Sequence, residues 1–337
     1  MKLPQSTYSV LICTLILAAT SAGSAFAQSQ PSPPGKLVDL GGHHLHVNCT
    51  GKGSPTVVVE NGFGGLSFDW ILVQSQVSRF TRICTYDRAG YAWSDPGPMP
   101  RTLAQINLEL KDALKKLGEH GPFVLVGHSF GGPVVRNFAL TYPKDVAGIV
   151  FVDAVSEDQR YTFRGQAILI RSGARGKTIP PPHEDMRASD QPSTPVGSDP
   201  QQSPALDPMY NVLPPAEQKL QLWAQALPEI QNAENSQREW SPESLAKWHA
   251  ESQAGTLGAI PVLVLTRAKG GYGDDLDIPA AQLEQERKDG QANLAKLSNN
   301  GKQIIVDSGH NMELEVPDQV AAAIHEIVIA VREHKKL

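Results

Sequence analysis

Short apolar runs alternate with segments of helical periodicity along most of the chain. Four β-rich runs lie between Lys36 and Asp87, and turn residues such as Gly41 and Gly42 separate them. Apolar residues then recur at helical spacing from Leu103 to Leu117, and the unbroken run FVLV starts at Phe123. Helices that alternate with uninterrupted apolar strands predict an α/β fold, in which a parallel sheet is covered on both faces.

The same alternation resumes later, after a long interruption. A helix is predicted from about Gly131 to Tyr142, and further strands are predicted from Gly148, Pro261 and Lys302. The intervening segment, 155–258, contains a tract rich in Pro, Ser and Asp and then helical patterns, one of which is predicted to start at Ser241 and Pro242. Because roughly a hundred residues far exceed an ordinary connection, we expect an inserted lid there.

The first residues have the order of a secretory signal peptide. Lys2 precedes an apolar run, and small residues follow it as far as Ala27. This order predicts a leader over 1–27, a mature chain that begins near Gln28, and a secreted or periplasmic protein. The apolar run is too short to span a bilayer.

Charge and cysteine content narrow the expected partners. A formal net charge of −5 supplies no basic field, so we expect neither nucleic acid nor an anionic membrane as partner, but a small-molecule substrate. Two cysteines remain after the leader, Cys49 and Cys84. In an oxidising compartment they predict a disulfide, the alternative being two buried thiols. No CxxC motif accompanies them, which disfavours a metal site.

A candidate nucleophile lies in the stretch GHSFG, from Gly127 to Gly131. The stretch directly follows the run FVLV and directly precedes the helix predicted from Gly131. A sharp turn between a strand and a helix lifts the hydroxyl of the central residue, Ser129, clear of the sheet. The helix that starts there also directs its N-terminal NH groups at developing negative charge.

A serine nucleophile needs a base, and His310 is the best-placed histidine. It follows the buried run QIIV, where a loop at the carboxyl edge of the sheet brings an imidazole towards Ser129. Two other histidines, His44 and His46, lie two residues apart on one predicted strand. For them a solvated strand face is the favoured interpretation over a metal site, and we predict no metal.

The chain resembles the α/β-hydrolase family over nearly all of its predicted mature length. The similar stretches are ENGFGG, CTYDRAGYAWSD, VLVGHSFGG, FVDA and SGHNMELEVPDQV. The resemblance implies a mostly parallel eight-stranded sheet, a helical cap inserted after the sixth strand, and a Ser, acid, His triad in that order. It also implies that the amides of Phe63 and Phe130 form the oxyanion hole. Finally, it makes the second and fourth strands neighbours, which favours the disulfide.

These inferences divide the chain into four parts. The predicted signal peptide covers 1–27, and the first part of the hydrolase core covers 28–154. The predicted cap covers 155–258, and the second part of the core covers 259–337.

The acid of the triad has two candidate positions. The usual one is the loop after the seventh core strand, which here offers Asp274, Asp275 and Asp277. The other is Asp153, at the end of the sixth strand, where some relatives that resemble haloalkane dehalogenases carry the acid. We favour Asp153, because a rigid strand end orients an imidazole better than a glycine-rich loop. Asp87 and Arg88 are expected to be structural.

The predicted activity is hydrolysis of a carboxylic ester through an acyl-enzyme on Ser129, without a metal or an organic cofactor. A second hypothesis keeps the triad but predicts an aminopeptidase or amidase. Such an enzyme would bind the substrate amine with acidic residues of the lid, namely Glu184, Asp185, Glu234 or Glu243. A non-catalytic ligand-binding module is a third hypothesis.

Overall fold

The computed structural model describes residues 30–183, 205–251 and 253–337. Its contacts group the chain into two units, Met1–Ser32 and Pro33–Leu337, and the fold described below belongs to the second. The predicted signal peptide, 1–27, and the lid residues Glu184 and Asp185 lie outside the described residues.

Eight strands form one sheet whose direction is mostly parallel. The strand order is β1-β2-β4-β3-β5-β6-β9-β10, and β2 runs in the opposite direction to the other seven strands. This arrangement confirms the predicted fold class. The strands, including a separate hairpin of β7 and β8, are β1 Lys36–Asp39, β2 His44–Thr50, β3 Val57–Glu60, β4 Ile83–Tyr86, β5 Phe123–His128, β6 Val146–Val152, β7 Arg160–Phe163, β8 Gln166–Leu169, β9 Val262–Arg267 and β10 Gly301–Val306.

Helices cover both faces of the sheet, as the unbroken apolar strands require. On β3, Val57 and Val59 pack against one group of helices, α1 and α8, whereas Val58 packs against the other, α2, α3 and α6. The helices are α1 Ile71–Val77, α2 Leu103–Lys116, α3 Gly131–Thr141, α4 Pro215–Ala224, α5 Pro228–Ala250, α6 Ala280–Ala295, α7 Met312–Glu315 and α8 Pro317–Glu333. None of the described helices is long and apolar enough to cross a membrane.

The segment between β6 and β9 contains more than the predicted helices. It begins with the β7–β8 hairpin, whose two-residue turn, Arg164 and Gly165, has positive φ at both positions. That backbone matches the twist of a tight hairpin, but Asn-Gly is its usual sequence signal and is absent here. Further along, Trp223 and Ala233 pack onto Trp93 of the core.

The helix start predicted at Ser241 and Pro242 is wrong. Helix α5 begins at Pro228 and continues through Pro242. Side-chain contacts hold its first half against the core: the Arg101 amide donates to Ser236 (2.9 Å), and the Tyr91 hydroxyl donates to Gln237 (3.1 Å). These tertiary contacts maintain a helix across a residue that normally ends one.

The predicted disulfide is present. Cys49 on β2 and Cys84 on β4 are direct partners in the antiparallel register, and their sulfurs are bonded. The bond therefore joins the edge of the sheet that contains β1 and β2 to its parallel centre.

We expect the double variant Cys49→Ser/Cys84→Ser to lower the free energy of unfolding by about 3 kcal/mol, because the bond closes a 35-residue loop in the unfolded chain. Urea unfolding without reductant measures the difference. Reduced wild-type protein is the control and should unfold like the variant. Equal midpoints for the variant and the oxidised wild type would contradict a stabilising role.

Candidate active site

Ser129 occupies a strained turn between β5 and α3. Its φ is +50°, and its amide donates to Val152 on the neighbouring strand (3.1 Å). Glycines make the turn possible: a Cβ on Gly131 would collide with the backbone of Glu60, and one on Gly127 would lie 2.7 Å from the Gly131 carbonyl oxygen. The turn thus has the geometry that the GHSFG pattern predicts for a nucleophile.

The structure brings Ser129, His310 and Asp153 into one hydrogen-bonded chain. The Ser129 hydroxyl lies 3.0 Å from His310 Nε2, and His310 Nδ1 lies 2.6 Å from the Asp153 carboxylate. With Asp153 ionised, Nδ1 donates and Nε2 is free to accept the hydroxyl proton. This arrangement can activate a serine hydroxyl.

Asp153 is a buried carboxylate with several charged partners. It follows β6 with φ of +37°, and its side chain accepts from Arg267 Nη1 (2.6 Å) and Arg287 Nη1 (3.3 Å). Burial acts to raise the pKa of Asp153, but the hydrogen bond from His310 and the charge of Arg267 outweigh it and leave the pKa at about 2. Asp153 is therefore ionised at neutral pH.

The alternative acids lie elsewhere. Asp274 and Asp275 are exposed in the loop after β9, and Asp277 accepts from the Ala167 amide of the hairpin (2.8 Å). From this region it is Arg267, at the end of β9, that pairs with Asp153, and Gly271, Tyr272 and Gly273 of the loop line the larger cavity. An arginine at the strand end where an acid is usual is a sequence signal that our prediction did not use.

The loop before Phe63 packs closely on the nucleophile. A Cβ on Gly62 would lie 3.1 Å from the Ser129 Cβ, so a side chain there would move the loop and the nucleophile apart by a few tenths of an ångström. Arg88 holds the loop by donating to the carbonyls of Asn61 (2.7 Å) and Gly62. These contacts agree with the structural role expected for Arg88. The Phe63 ring stacks on the Phe130 ring with centroids 4.1 Å apart. The assignment of their amides to an oxyanion hole stays a prediction.

His128 supports the loop that carries His310. Its Nε2 lies 3.0 Å from the His310 carbonyl, to which it donates. Burial and then the neighbouring His310 lower the pKa of His128 to about 3, so its ring is neutral. A residue directly beside the nucleophile thus fixes the position of the predicted base.

The solvated face predicted for His46 is wrong. His46 is fully buried, and its Nδ1 lies 2.6 Å from Asp87, whose carboxylate also accepts from the Ser67 amide (2.7 Å). The reason is that the neighbouring strand and loop cover this part of β2. His44, two residues earlier on the strand, stays exposed beside Asp95. These contacts also make Asp87 structural, as expected.

One group of side chains in the described part of the chain has the spacing of metal ligands: Cys49, Cys84 and Glu119. Its two sulfurs are joined in the disulfide and so cannot act as thiolate ligands.

Two cavities meet at Ser129 and His310. The larger, of about 700 Å³, lies between the core and the 155–258 segment, and three arginines line it: Arg160, Arg238 and Arg267. The smaller, of about 240 Å³, is lined by residues of the loops after β3 and β10, and by Met209 and Tyr210. Phe63 borders both cavities.

Two buried acids, Asp69 and Glu313, line the smaller cavity. Burial raises the pKa of Asp69 to about 7 and that of Glu313 to about 8. Repulsion from Asp87 also raises the pKa of Asp69, and repulsion from Asp69 also raises the pKa of Glu313. Sequence reasoning missed both, because nothing in the local pattern distinguishes them from surface acids.

A family model described as the alpha/beta hydrolase family matches residues 57–323. The chain belongs to the alpha/beta hydrolase family. Among curated proteins, this hydrolase is 29% identical to YbdG of Bacillus subtilis over 132 residues, which are 39% of this chain and 41% of that protein. The matched segments cover 19 to 41% of the first curated relatives' own lengths.

Solved structures share the fold of this hydrolase at low identity. A meta-cleavage product hydrolase from Pseudomonas fluorescens is 18% identical with a TM-score of 0.60, covering 90% of this chain and 99% of that one. A thermophilic esterase from Thermogutta terrifontis is 21% identical with a TM-score of 0.56, covering 86% and 94%. These likenesses establish the architecture.

We expect Asp153→Asn to reduce turnover of an ester by about 10⁴-fold, because the amide no longer selects the Nδ1-protonated form of His310. The matched control, Asp274→Asn, removes an exposed carboxylate and should leave turnover nearly unchanged. Steady-state kinetics on both purified variants makes the comparison. The reverse ranking would assign the acid to the loop after β9.

We expect the free energy of unfolding of the Glu313→Gln variant to depend less on pH than that of the wild type. The folded-state pKa of Glu313 is raised to about 8 from 4.5, so its contribution to stability is present below pH 4.5 and is lost as pH rises towards 8. The loss amounts to about 1.4 kcal/mol per pH unit at most, and the glutamine variant avoids it.

Urea unfolding at pH 5 and pH 8 tests this expectation. The control, Glu326→Gln, removes a half-exposed carboxylate of α8 that pairs with Lys302, far from the smaller cavity, and should keep the wild-type difference between the two pH values. If the free energy of unfolding of Glu313→Gln changes between pH 5 and pH 8 as much as that of the wild type, Glu313 is ionised in the folded protein at both pH values.

Proposed function

We propose that this protein hydrolyses carboxylic esters through an acyl-enzyme formed on Ser129. The observation that carries the proposal is the continuous contact from the Ser129 hydroxyl through His310 to Asp153, with separations of 3.0 and 2.6 Å. A serine in this arrangement is activated by its base, and the base is oriented by the acid.

In the proposed mechanism, His310 Nε2 takes the proton as the Ser129 oxygen attacks the ester carbonyl. The Phe63 and Phe130 amides stabilise the oxyanion, and loss of one such donor typically costs about 3 kcal/mol of transition-state stabilisation. His310 then gives the proton to the leaving alcohol as its bond to the carbonyl carbon breaks. Water, deprotonated by His310, then attacks the acyl-enzyme carbonyl. The bond from that carbonyl to the Ser129 oxygen breaks, His310 returns the proton to this oxygen, and the carboxylic acid leaves.

The nucleophile type supports this chemistry over two others found on related folds. Epoxide hydrolases and dehalogenases of this fold form their covalent intermediate on a carboxylate, and this chain has a hydroxyl at that position. The larger cavity supports an ester over a substrate amine. Neither Glu234 nor Glu243 lines it: Glu234 pairs with Arg238 and Glu243 accepts from the Arg175 amide.

We further propose that the 155–258 segment acts as a cap and that the protein is exported. The cap proposal is supported by the larger cavity, to which Tyr161, Ile168 and Pro242 of this segment contribute. Export is supported by the leader-like order of 1–27 and by the Cys49–Cys84 disulfide, since such bonds persist in oxidising compartments.

We expect a fluorophosphonate probe to label the wild-type protein at Ser129, because the activated hydroxyl attacks phosphorus as it would a carbonyl. Intact mass and peptide mapping locate the label. Ser129→Ala should not be labelled, and Asp274→Asn should be labelled like the wild type. Folded wild-type protein without a label would contradict every serine hydrolase mechanism.

A pair of chromogenic substrates separates the two enzymatic hypotheses. We expect p-nitrophenyl butyrate to be hydrolysed with a kcat/KM at least about 100-fold above that of alanine p-nitroanilide, because the described residues that line the larger cavity offer guanidinium groups and no unpaired carboxylate to an amine. A preference for the anilide would favour an aminopeptidase.

A further inference from the structure

The smaller cavity contains polar groups that the proposed mechanism does not use. It adjoins Ser129 and His310, and it is also lined by Asn61, Asp69 and Glu313. With a volume of about 240 Å³ it has room for a group much larger than a single water molecule. A cavity of this kind beside a nucleophile is able to bind one part of a substrate.

Two side-chain atoms of this cavity's wall are buried without a partner. Asn61 is 3% exposed, and its Oδ1 accepts from Trp70 while its Nδ2 has no hydrogen-bond partner among the described residues. Glu313 is 4% exposed, and its Oε2 has no hydrogen-bond partner in that same part of the chain. Since buried polar atoms are nearly always paired, the two atoms are open to a hydrogen-bonding ligand or to water.

Asp69 and His128, in the same wall, already have hydrogen-bond partners. Asp69 accepts from the Leu66 amide (2.8 Å) and from Gln221. His128 donates its Nε2 proton to the His310 carbonyl. Asn61 Nδ2 and Glu313 Oε2 are therefore the groups to which a hydroxyl, which both donates and accepts, can bind.

We propose that the smaller cavity binds the leaving alcohol of the ester and that it recognises a second hydroxyl group on that alcohol through Glu313 and Asn61. The hydroxyl donates to or accepts from the Glu313 carboxyl group and accepts from Asn61 Nδ2. This inference rests on the proposed function, because it names the class of ester that the same site takes: a short hydroxyalkyl ester.

The position of the cavity favours the alcohol over the acyl group. His310 Nε2 must give its proton to the leaving oxygen, and the residues that follow His310 line the smaller cavity, including Asn311, Glu313 and Leu314. The larger cavity, beside the 155–258 segment, then receives the acyl group, and its apolar lining includes Val155, Ile168 and Ile170.

The charge of the wall favours a hydroxyl over an ammonium group. Burial keeps the pKa of Glu313 at about 8, so the carboxyl group is mostly protonated at neutral pH. A protonated carboxyl exchanges hydrogen bonds with a neutral hydroxyl without desolvating a charge, whereas an ammonium group would have to ionise it first.

A matched pair of substrates tests the proposal. 2-Hydroxyethyl butyrate and propyl butyrate differ by a hydroxyl in place of a methyl group of similar size. For the wild type we expect a kcat/KM ratio of about tenfold or more in favour of the hydroxyethyl ester, because the propyl ester leaves Glu313 and Asn61 unpaired. A ratio near one would overturn the proposal.

Variants connect the preference to Glu313. Glu313→Met keeps the length of the side chain but cannot form the hydrogen bond, so its ratio should fall towards one. Glu313→Gln retains a donor and an acceptor and should keep most of the preference. Glu326→Gln, at a half-exposed position of α8 outside both cavities, is the control and should keep the wild-type ratio. An unchanged ratio in Glu313→Met would remove Glu313 from the site.

Two further substrate pairs distinguish the class and the orientation. The first pair, 2-(dimethylamino)ethyl butyrate and 3-methylbutyl butyrate, differs by a cationic group. If its kcat/KM ratio exceeds the ratio of the hydroxyethyl and propyl esters, the cavity is a cation site and the proposal is overturned. A preference for propyl 3-hydroxybutanoate over propyl 3-methylbutanoate, without one for the hydroxyethyl ester, would overturn the orientation.

Failure of this inference and failure of the proposed function give different results. If Ser129 is labelled by fluorophosphonate and both butyrate esters are hydrolysed at equal rates, only the inference fails. If Ser129 is not labelled and no ester is hydrolysed, the proposed function fails. Labelling of Glu313→Met also shows that this variant is folded around a reactive Ser129.

Discussion

The buried carboxylate of Asp153 is the constraint on which the rest of the site depends. A carboxylate that is 4% exposed is unfavourable unless charged or hydrogen-bonding groups surround it. Here His310, Arg267 and Arg287 supply them. They come from the loop after β10, the end of β9 and helix α6, so the ion cluster forms only when these elements are assembled in the observed strand order.

The same assembly explains why two non-glycine residues keep a strained backbone. Ser129 and Asp153 both have positive φ, a conformation that typically costs about 1 to 3 kcal/mol per residue. Their amides donate to neighbouring strands, Ser129 to Val152 and Asp153 to Leu265. The hydrogen bonding of the sheet thus maintains the strain at the two positions where β5 and β6 end.

Sequence reasoning succeeded where a local pattern carries a physical requirement. The apolar runs predicted the sheet, and the glycines of GHSFG predicted the turn at Ser129. The choice of Asp153 over Asp274 as the acid stays a prediction, which the contact between Asp153 and His310 supports. Sequence reasoning failed where long-range contacts decide. The burial of His46, the continuation of α5 through Pro242 and the approach of Arg287 to Asp153 all depend on partners more than 30 residues away in the chain. No window of the sequence contains both members of these pairs.

The arginines that stabilise Asp153 also limit what it contributes electrostatically. Its Oδ2 atom accepts from both His310 and Arg267, and its Oδ1 atom accepts from Arg287. A carboxylate whose charge is shared among three donors stabilises an imidazolium less than an unshared one does. Its hydrogen bond still fixes the tautomer and the plane of His310, and the neutral His128 fixes the backbone of the same residue. We therefore propose that Asp153 acts mainly by orienting His310, and that charge in the transition state is stabilised chiefly by the predicted oxyanion hole, the amides of Phe63 and Phe130.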